Sequence, residues 1–196
     1  MEFKKVTREW DTLKKDAMER AKNAAPLVKE GKIVDAKDTV ALLEAVIKPY
    51  DKVNIEGNNQ KQADFLAKCL CQVDPAKIHD LHMVQSVLTL PEHLDVFEKG
   101  IAKKLDMSFS GPQAGRIAQF LQEGKLELGA IHTYLELYGR YFVDLTPRVA
   151  LVAATMADRE GNLFTGFSTE DTRAIVEATK FRRGIVIAQV NQIVDK

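Results

Sequence analysis

The chain has 196 residues, 45% of them hydrophobic, with Lys plus Arg and Asp plus Glu balanced at 28 each. That is enough apolar material for one large or two small domains with a substantial core, and it excludes disorder. The charge balance excludes a global field drawing the protein onto nucleic acid or anionic lipid, and no apolar stretch approaches the roughly 20 residues that span a bilayer.

The N-terminus mixes acids with bases and lacks a signal-peptide core, so a cytoplasmic location is expected. Val6, Trp10, Leu13 and Ala17 recur at helical spacing and predict a helix from Phe3 to about Val28, packed on its own domain or a partner, with Gly31 ending it. Residues 1–36 are accordingly expected to form a helical segment and 37–196 an α/β domain. A second short helix follows Asp38, and Pro49 closes it before a first strand at Lys52–Glu56.

Beyond Lys52, short apolar runs alternate with amphipathic segments, which predicts strands and helices layered around a sheet. A helix presents Phe65, Leu66, Cys69 and Leu70 on one face. A strand lies within Ile78–Leu90, and Leu94, Phe97, Ile101 and Leu105 align on a further helix. A short strand around Met107–Ser110 is broken by Gly111-Pro112, before a helix burying Ile117, Ala118 and Leu121. Leu126–Thr133 reads as a strand, and Tyr134, Tyr138, Tyr141 and Phe142 as an aromatic helical face for core or subunit contact. Arg148–Met156 is nearly all apolar, as in a strand covered on both faces. Residues 157–163 read as a hairpin turn. Ser168 and Asp171 form an N-cap pattern for a last helix, Lys180, Arg182 and Arg183 suit its negative end, and Gly184 stops it before the strand Ile185–Val190. Cys69 and Cys71, two apart on a predicted helix, point to different faces and read as reduced structural thiols.

Three polar, small-residue loops fall at carboxyl ends of predicted strands, the edge where open α/β sheets take ligands: Gly57-Asn58-Asn59-Gln60, Gln85-Ser86, and Ser108 to Gln113 with Ser110 and Gly111 at its centre. The first joins a strand to a helix, whose free N–H groups meet a phosphate, carboxylate or thioester oxygen favourably, with Gly57 permitting the approach and Asn58 and Asn59 offering amide donors. Neither G-x-G-x-x-G nor G-x-x-x-x-G-K-[ST] occurs. Glu56, a conceivable nucleophile, reads first as a strand-end charge. His79 and His82 would pair on a metal only within a helix, whereas Ile, Leu, Met and Val around them favour a strand, so no metal site is expected. His93 and His132 read as surface or core-edge histidines, and no serine has the G-x-S-x-G context of a hydrolase.

Ala45 to Val53 followed by Gly57 resembles the opening of the CoA transferase fold, with its oxyanion turn. Val152 to Leu163 and Ile185 to Val194 resemble two further stretches of that superfamily. More narrowly, Glu56-Gly57-Asn58-Asn59-Gln60-Lys61-Gln62-Ala63-Asp64 and Asp144-Leu145-Thr146-Pro147-Arg148 resemble the alpha subunits of biotin-independent malonate decarboxylase. The resemblance implies a three-layer, CoA transferase-like α/β domain with a mostly parallel sheet behind an N-terminal helix. It implies transfer of a carrier-protein thiol from acetate to malonate, giving malonyl carrier protein.

By the same resemblance Gly57, Asn58 and Asn59 form an oxyanion corner, and Gln60, Ser86, Ser110 and Gly111 approach the carrier's CoA-like prosthetic group, with no tightly bound cofactor. The implied partners are the acyl carrier protein, other malonate decarboxylase subunits, malonate and acetate, with no nucleic acid or membrane and with a homodimer conceivable. Family members are far longer, in two CoA transferase-like halves with the nucleophilic glutamate in the second, so this chain is expected to be an N-terminal portion, with no catalytic glutamate carried over to Glu56 or any other position. A citrate lyase alpha subunit-like or acetate CoA transferase activity, and a non-catalytic half that only binds carrier protein or CoA, are the alternatives.

Overall fold

The computed structural model describes residues 11–57, 61–167 and 171–195. Helix α1 (Thr12–Ala24) runs into a 3-10 turn at Ala25–Leu27, and α2 (Thr39–Val46) precedes β1 (Lys52–Ile55). There follow α3 (Asp64–Leu70), β2 (Leu81–Val87), α4 (Glu92–Glu98), β3 (Ala102–Phe109), α5 (Ala114–Gln122), β4 (Glu127–Ile131) and α6 (Tyr134–Val143). The chain continues through β5 (Val149–Asp158), β6 (Leu163–Phe164), α7 (Thr172–Phe181) and β7 (Ile185–Val194).

Among the described residues, seven strands form one sheet in which β4, β3, β2, β1 and β5 lie side by side and β7 flanks β5. All of these pairings are parallel, and β6 alone runs antiparallel, folding back on the end of β5 through a turn in which Asp158 accepts from both the backbone N–H and the side-chain amide of Asn162. The strand order steps outward from β1 to β4 and then reverses to β5 and β7. The carboxyl end of β1 therefore sits at the crevice where the order reverses.

Each face of the sheet carries its own core, which makes three layers. Val53, Ile55, Met83, Leu105 and Leu151 point to one side, under Leu43 and Val46 of α2, Leu66 and Leu70 of α3, Leu94 and Phe97 of α4, and Ile117 and Phe120 of α5. Val84, Ala150 and Val152 point to the other, under Leu137 and Tyr141 of α6 and Ile175 and Ala178 of α7. Fully burying such a side chain is worth about 1.5–3 kcal/mol, so both helical layers are held chiefly by this burial.

Several local expectations give way to tertiary context. The stripe Leu94, Phe97, Ile101, Leu105 is not one helix: Gly100 takes φ +73 and ends α4, and Leu105 belongs to β3, so both segments reach the same core by different routes. In α5 the buried pair is Ile117 and Phe120, while Ala118 and Leu121 face solvent. Phe65 is half out of the core and Ala67 takes its place on the buried face of α3. On α1, Leu13 is exposed, and Val6 and Trp10 lie outside the described residues.

What seats α1 is Arg20, which is buried. Its guanidinium donates to both carboxylate oxygens of Asp51, to the Val46 carbonyl at 2.6 Å and, from Nε, to Asp16 at 2.8 Å. Burial works against the Asp16 charge, but hydrogen bonds from Arg20, Arg148 and Lys48 outweigh it and hold the carboxyl well below the usual carboxylate range. At the far end of α7 the left-handed residue is Arg183, φ +58, rather than Gly184.

Candidate functional site at the carboxyl edge of the sheet

β1 does not turn straight into a helix. After Ile55 the chain makes an isolated bridge between Gly57 and Gln62, the Ala63 N–H returns to the Glu56 carbonyl at 3.0 Å, and α3 starts only at Asp64. Asn58, Asn59 and Gln60 sit between those anchors and lie outside the described residues. α3 thus starts seven residues after Gly57, with one first-turn N–H already in use. Its Leu66 N–H donates to Gln189 Oε1 of β7, and the amide nitrogen of the same Gln189 donates to Asp64.

Gly57 is required here by crowding rather than by φ. A Cβ at this position would fall 2.6 Å from Cε1 of His93, 2.8 Å from the Val87 carbonyl oxygen and 3.1 Å from Gln62 Oε1. His93, on α4, is fully buried, and neither ring nitrogen has a hydrogen-bond partner among the described residues. Burial pushes its pKa down to about 4, so the ring is neutral near pH 7. The expectation of a surface or core-edge histidine is corrected: the ring forms the wall behind the corner.

Glu56 is completely buried and saturated with donors. One carboxylate oxygen accepts the Ala153 N–H of β5 at 2.7 Å, and the other lies 3.0 Å from Lys61 Nζ and accepts the Thr172 hydroxyl at the start of α7. Lys61 also donates to Thr172 at 2.5 Å. The carboxylate thus ties together β1, β5, the corner loop and α7, and no open approach is left for attack on a substrate.

Ser86, buried at the end of β2, places its Oγ 3.1 Å from the Gly57 carbonyl and beside the Asp171 carboxylate. One hydroxyl proton serves one of these acceptors at a time. Asp171 is therefore engaged across the sheet edge; it makes no side-chain cap to α7, and Ser168 lies outside the described residues. One strand further out, Leu88 N–H donates to the Phe109 carbonyl, and the Ser110-Gly111 turn packs against Leu88, where a Cβ on Gly111 would meet its carbonyl at 2.9 Å. Gly57, Ser86 and Gly111 are thus set in a row along one edge, with Gly57 and Ser86 in direct contact.

The same half of the sheet carries unused polar capacity. Both amide atoms of Gln85 and the hydroxyls of Thr89 and Ser108 are buried without a hydrogen-bond partner among the described residues. Lys61, Thr172 and Asp171 are the members of this site that sequence reasoning does not reach; a lysine five residues beyond a strand-end glutamate is the one local signal.

A second polar cluster lies in the amino half of the sheet. Asp106 of β3 is buried and holds His82 Nε2 on one oxygen at 2.6 Å and His132 Nε2 on the other at 2.7 Å. Burial opposes its charge, yet the two imidazoles prevail and bring its pKa to about 2. Gly129 is the residue that lets β4 close over it, since a Cβ there would overlap the carboxylate at 2.1 Å. His132 is therefore interior, and His82 is a strand residue turned toward Asp106. Among the described residues no group of three or more His, Cys, Asp and Glu is placed to hold a metal ion, and no helix is long and apolar enough to cross a membrane.

Comparison with known proteins gives this geometry a family. Residues 9–196 match the family model described as malonate decarboxylase, alpha subunit, transporter. A curated relative from Malonomonas rubra, acetyl-S-ACP:malonate ACP transferase, is 63% identical over 187 residues, which cover 95% of this chain and 34% of the relative. The structure of a Pseudomonas malonate decarboxylase hetero-tetramer in complex with malonate superposes with a TM-score of 0.93 at 56% identity, over 97% of this chain and 34% of that one. Glutaconate coenzyme A-transferase from Acidaminococcus fermentans shares the fold alone, with a TM-score of 0.62 at 12% identity over 80% of this chain and 66% of that one. The chain spans about a third of the length of the Malonomonas and Pseudomonas relatives. On a family match running over nearly all its residues, the chain belongs to the malonate decarboxylase alpha-subunit family.

Proposed function

We propose that this chain supplies one wall of the active site of an acetyl-S-ACP:malonate ACP transferase, which exchanges acetate for malonate on the carrier-protein thiol to give malonyl carrier protein and acetate. The observation that carries the reading is the 63% identity to the Malonomonas rubra transferase, which extends over 95% of this chain. One thioester is exchanged for another, so the protein's task is to orient the thioester and stabilise the oxyanion that develops on its carbonyl.

In this reading the corner Gly57, Asn58 and Asn59 receives that oxygen, and Gln60, Ser86, Ser110 and Gly111 border the CoA-like prosthetic group, with no cofactor held tightly by the chain. The burial of Glu56 and its three donors argue against it as nucleophile, in keeping with the resemblance, which implies an attacking glutamate in the second half of the longer family members. The partners are the acyl carrier protein and the other subunits of a malonate decarboxylase assembly. The hetero-tetrameric state of the Pseudomonas relative supports the second of these. Residues 1–36 act as a helical brace on an α/β unit formed by 37–196.

The test is exchange of labelled acetate into acetyl carrier protein, by the chain alone and with the remaining two-thirds of the relative's subunit supplied. Exchange only in the complemented reaction, slowed by Ser86→Ala and redirected to malonyl carrier protein by added malonate, is the expected result. Absence of exchange in both reactions, with carrier protein still bound, favours a binding module without chemistry.

A further inference from the structure

A cavity of about 340 Å³ lies away from the carboxyl edge. It opens on the α6 side of the sheet toward its amino end, and its wall includes Lys52 at the start of β1, His82 of β2, Lys104 and Asp106 of β3, and Arg140 and Asp144 of α6. Lys52 and Gly57 are five residues apart along an extended strand, so this cavity is about 16 Å from the corner.

Its charges are unevenly used. Asp106 spends both oxygens on His82 and His132, and Asp144 spends both on the Arg140 guanidinium. Lys52 and Lys104 have no carboxylate partner among the described residues, and His82 Nδ1 likewise has no protein partner. Two lysines without a carboxylate partner among the described residues, and a histidine, thus border one concave wall whose acids are already engaged. A cavity of this size is at the small end of those that hold organic ligands.

We propose that this cavity is a binding site for a small doubly charged oxyanion, a phosphate or a dicarboxylate, held by Lys52 and Lys104 beside His82 and separate from the thioester site. Ammonium groups suit it as compact point charges, and Asp106 holds the His82 imidazole in place through Nε2 at the border of the cavity. The proposal does not depend on the transferase reading.

Isothermal titration of the 196-residue chain with inorganic phosphate and, separately, with succinate tests it, using Lys52→Met/Lys104→Met as the cavity variant and Ser86→Ala as the variant at the opposite edge. Saturable binding of at least one anion is expected, weakened about tenfold or more in the double-lysine variant and unchanged in Ser86→Ala. The anion that binds more tightly identifies the ligand chemistry. A two-dimensional NMR titration of the imidazole nitrogens adds a readout independent of the variants: the His82 resonances shift on binding and those of His93 do not. Lack of saturable binding by either anion overturns the proposal. So does binding that survives the double-lysine change or is lost in Ser86→Ala.

Discussion

Gly57 and His93 are packed so closely that a single methyl group at position 57 would sit 2.6 Å from the imidazole Cε1. The second obstacle is the Val87 carbonyl at 2.8 Å, which belongs to the sheet backbone and cannot rotate away. Gly57→Ala therefore overpacks a fixed corner and is expected to cost about 1–3 kcal/mol. Trimming the ring with His93→Ala relieves only the first contact. A double-mutant cycle followed by urea unfolding should show partial rescue, a coupling of about 0.5 kcal/mol or more between the two sites. Full additivity would mean that the ring does not wall the corner.

Glu56 offers a clean separation of structural from chemical roles. In Glu56→Gln the carboxylate is lost while Lys61 stays mostly buried, at 12% side-chain exposure, with an uncharged amide in place of its ion-pair partner. Breaking a buried pair in this way costs about 3–5 kcal/mol. A large fall in stability is the expected outcome, with a much smaller fall in Glu56→Gln/Lys61→Met, where neither charge is stranded. A fully stable Glu56→Gln that has lost transfer activity in the complemented reaction would instead return Glu56 to the role of nucleophile.

The buried histidine sets a pH dependence whose sign follows from its shift. The pKa of His93 is about 4 in the fold against an ordinary 6.5, because burial disfavours the charged ring. Between those values the unfolded chain binds a proton that the folded chain refuses, so stability falls as pH drops from about 6.5 toward 4 and is fully present above that window. The size of the shift corresponds to about 3 kcal/mol. Asp106, with a pKa brought down to about 2, adds a loss only below the ordinary carboxylate range, so the two contributions separate on the pH axis. Urea midpoints measured from pH 7 to pH 4.5 should fall in the native protein and much less in His93→Leu. Equal slopes in both would remove His93 as the cause.

How far these features can be read from the residues depends on the range of the contact involved. The α/β alternation, the continuous apolar β5 and the hairpin at 157–163 are local patterns, and each is legible in the chain. The corner after β1 is legible as a place, but not in its construction: whether Asp64 or Asn58 opens the helix turns on the Gly57–Gln62 bridge and on Gln189, which comes from a strand 125 residues away from Asp64. The split of Leu94 to Leu105 into a helix and a strand is hidden because both elements bury their apolar residues in one core, and only the left-handed Gly100 divides them. The pairing of Asp106 with His82 and His132, 24 and 26 residues distant, follows from strand register. No spacing rule in the sequence encodes that register.

Arg20 is the remaining case in which one side chain substitutes for an apolar seam. α1 buries little apolar surface, only Ala24 among its hydrophobic residues, and depends on the guanidinium that bridges Asp51, Val46 and Asp16. Arg20→Lys keeps the charge but loses the fork that meets both Asp51 oxygens, and it leaves part of that buried carboxylate and the Val46 carbonyl unsatisfied. A loss of about 2 kcal/mol or more is expected, concentrated on α1 rather than on the sheet. Hydrogen exchange resolves the two: in Arg20→Lys, amides of α1 should exchange many times faster while those of β1, β2 and β5 keep their protection. Uniform acceleration across the sheet would show that Arg20 holds the whole domain together, and an unchanged α1 would show that the helix is seated by other contacts.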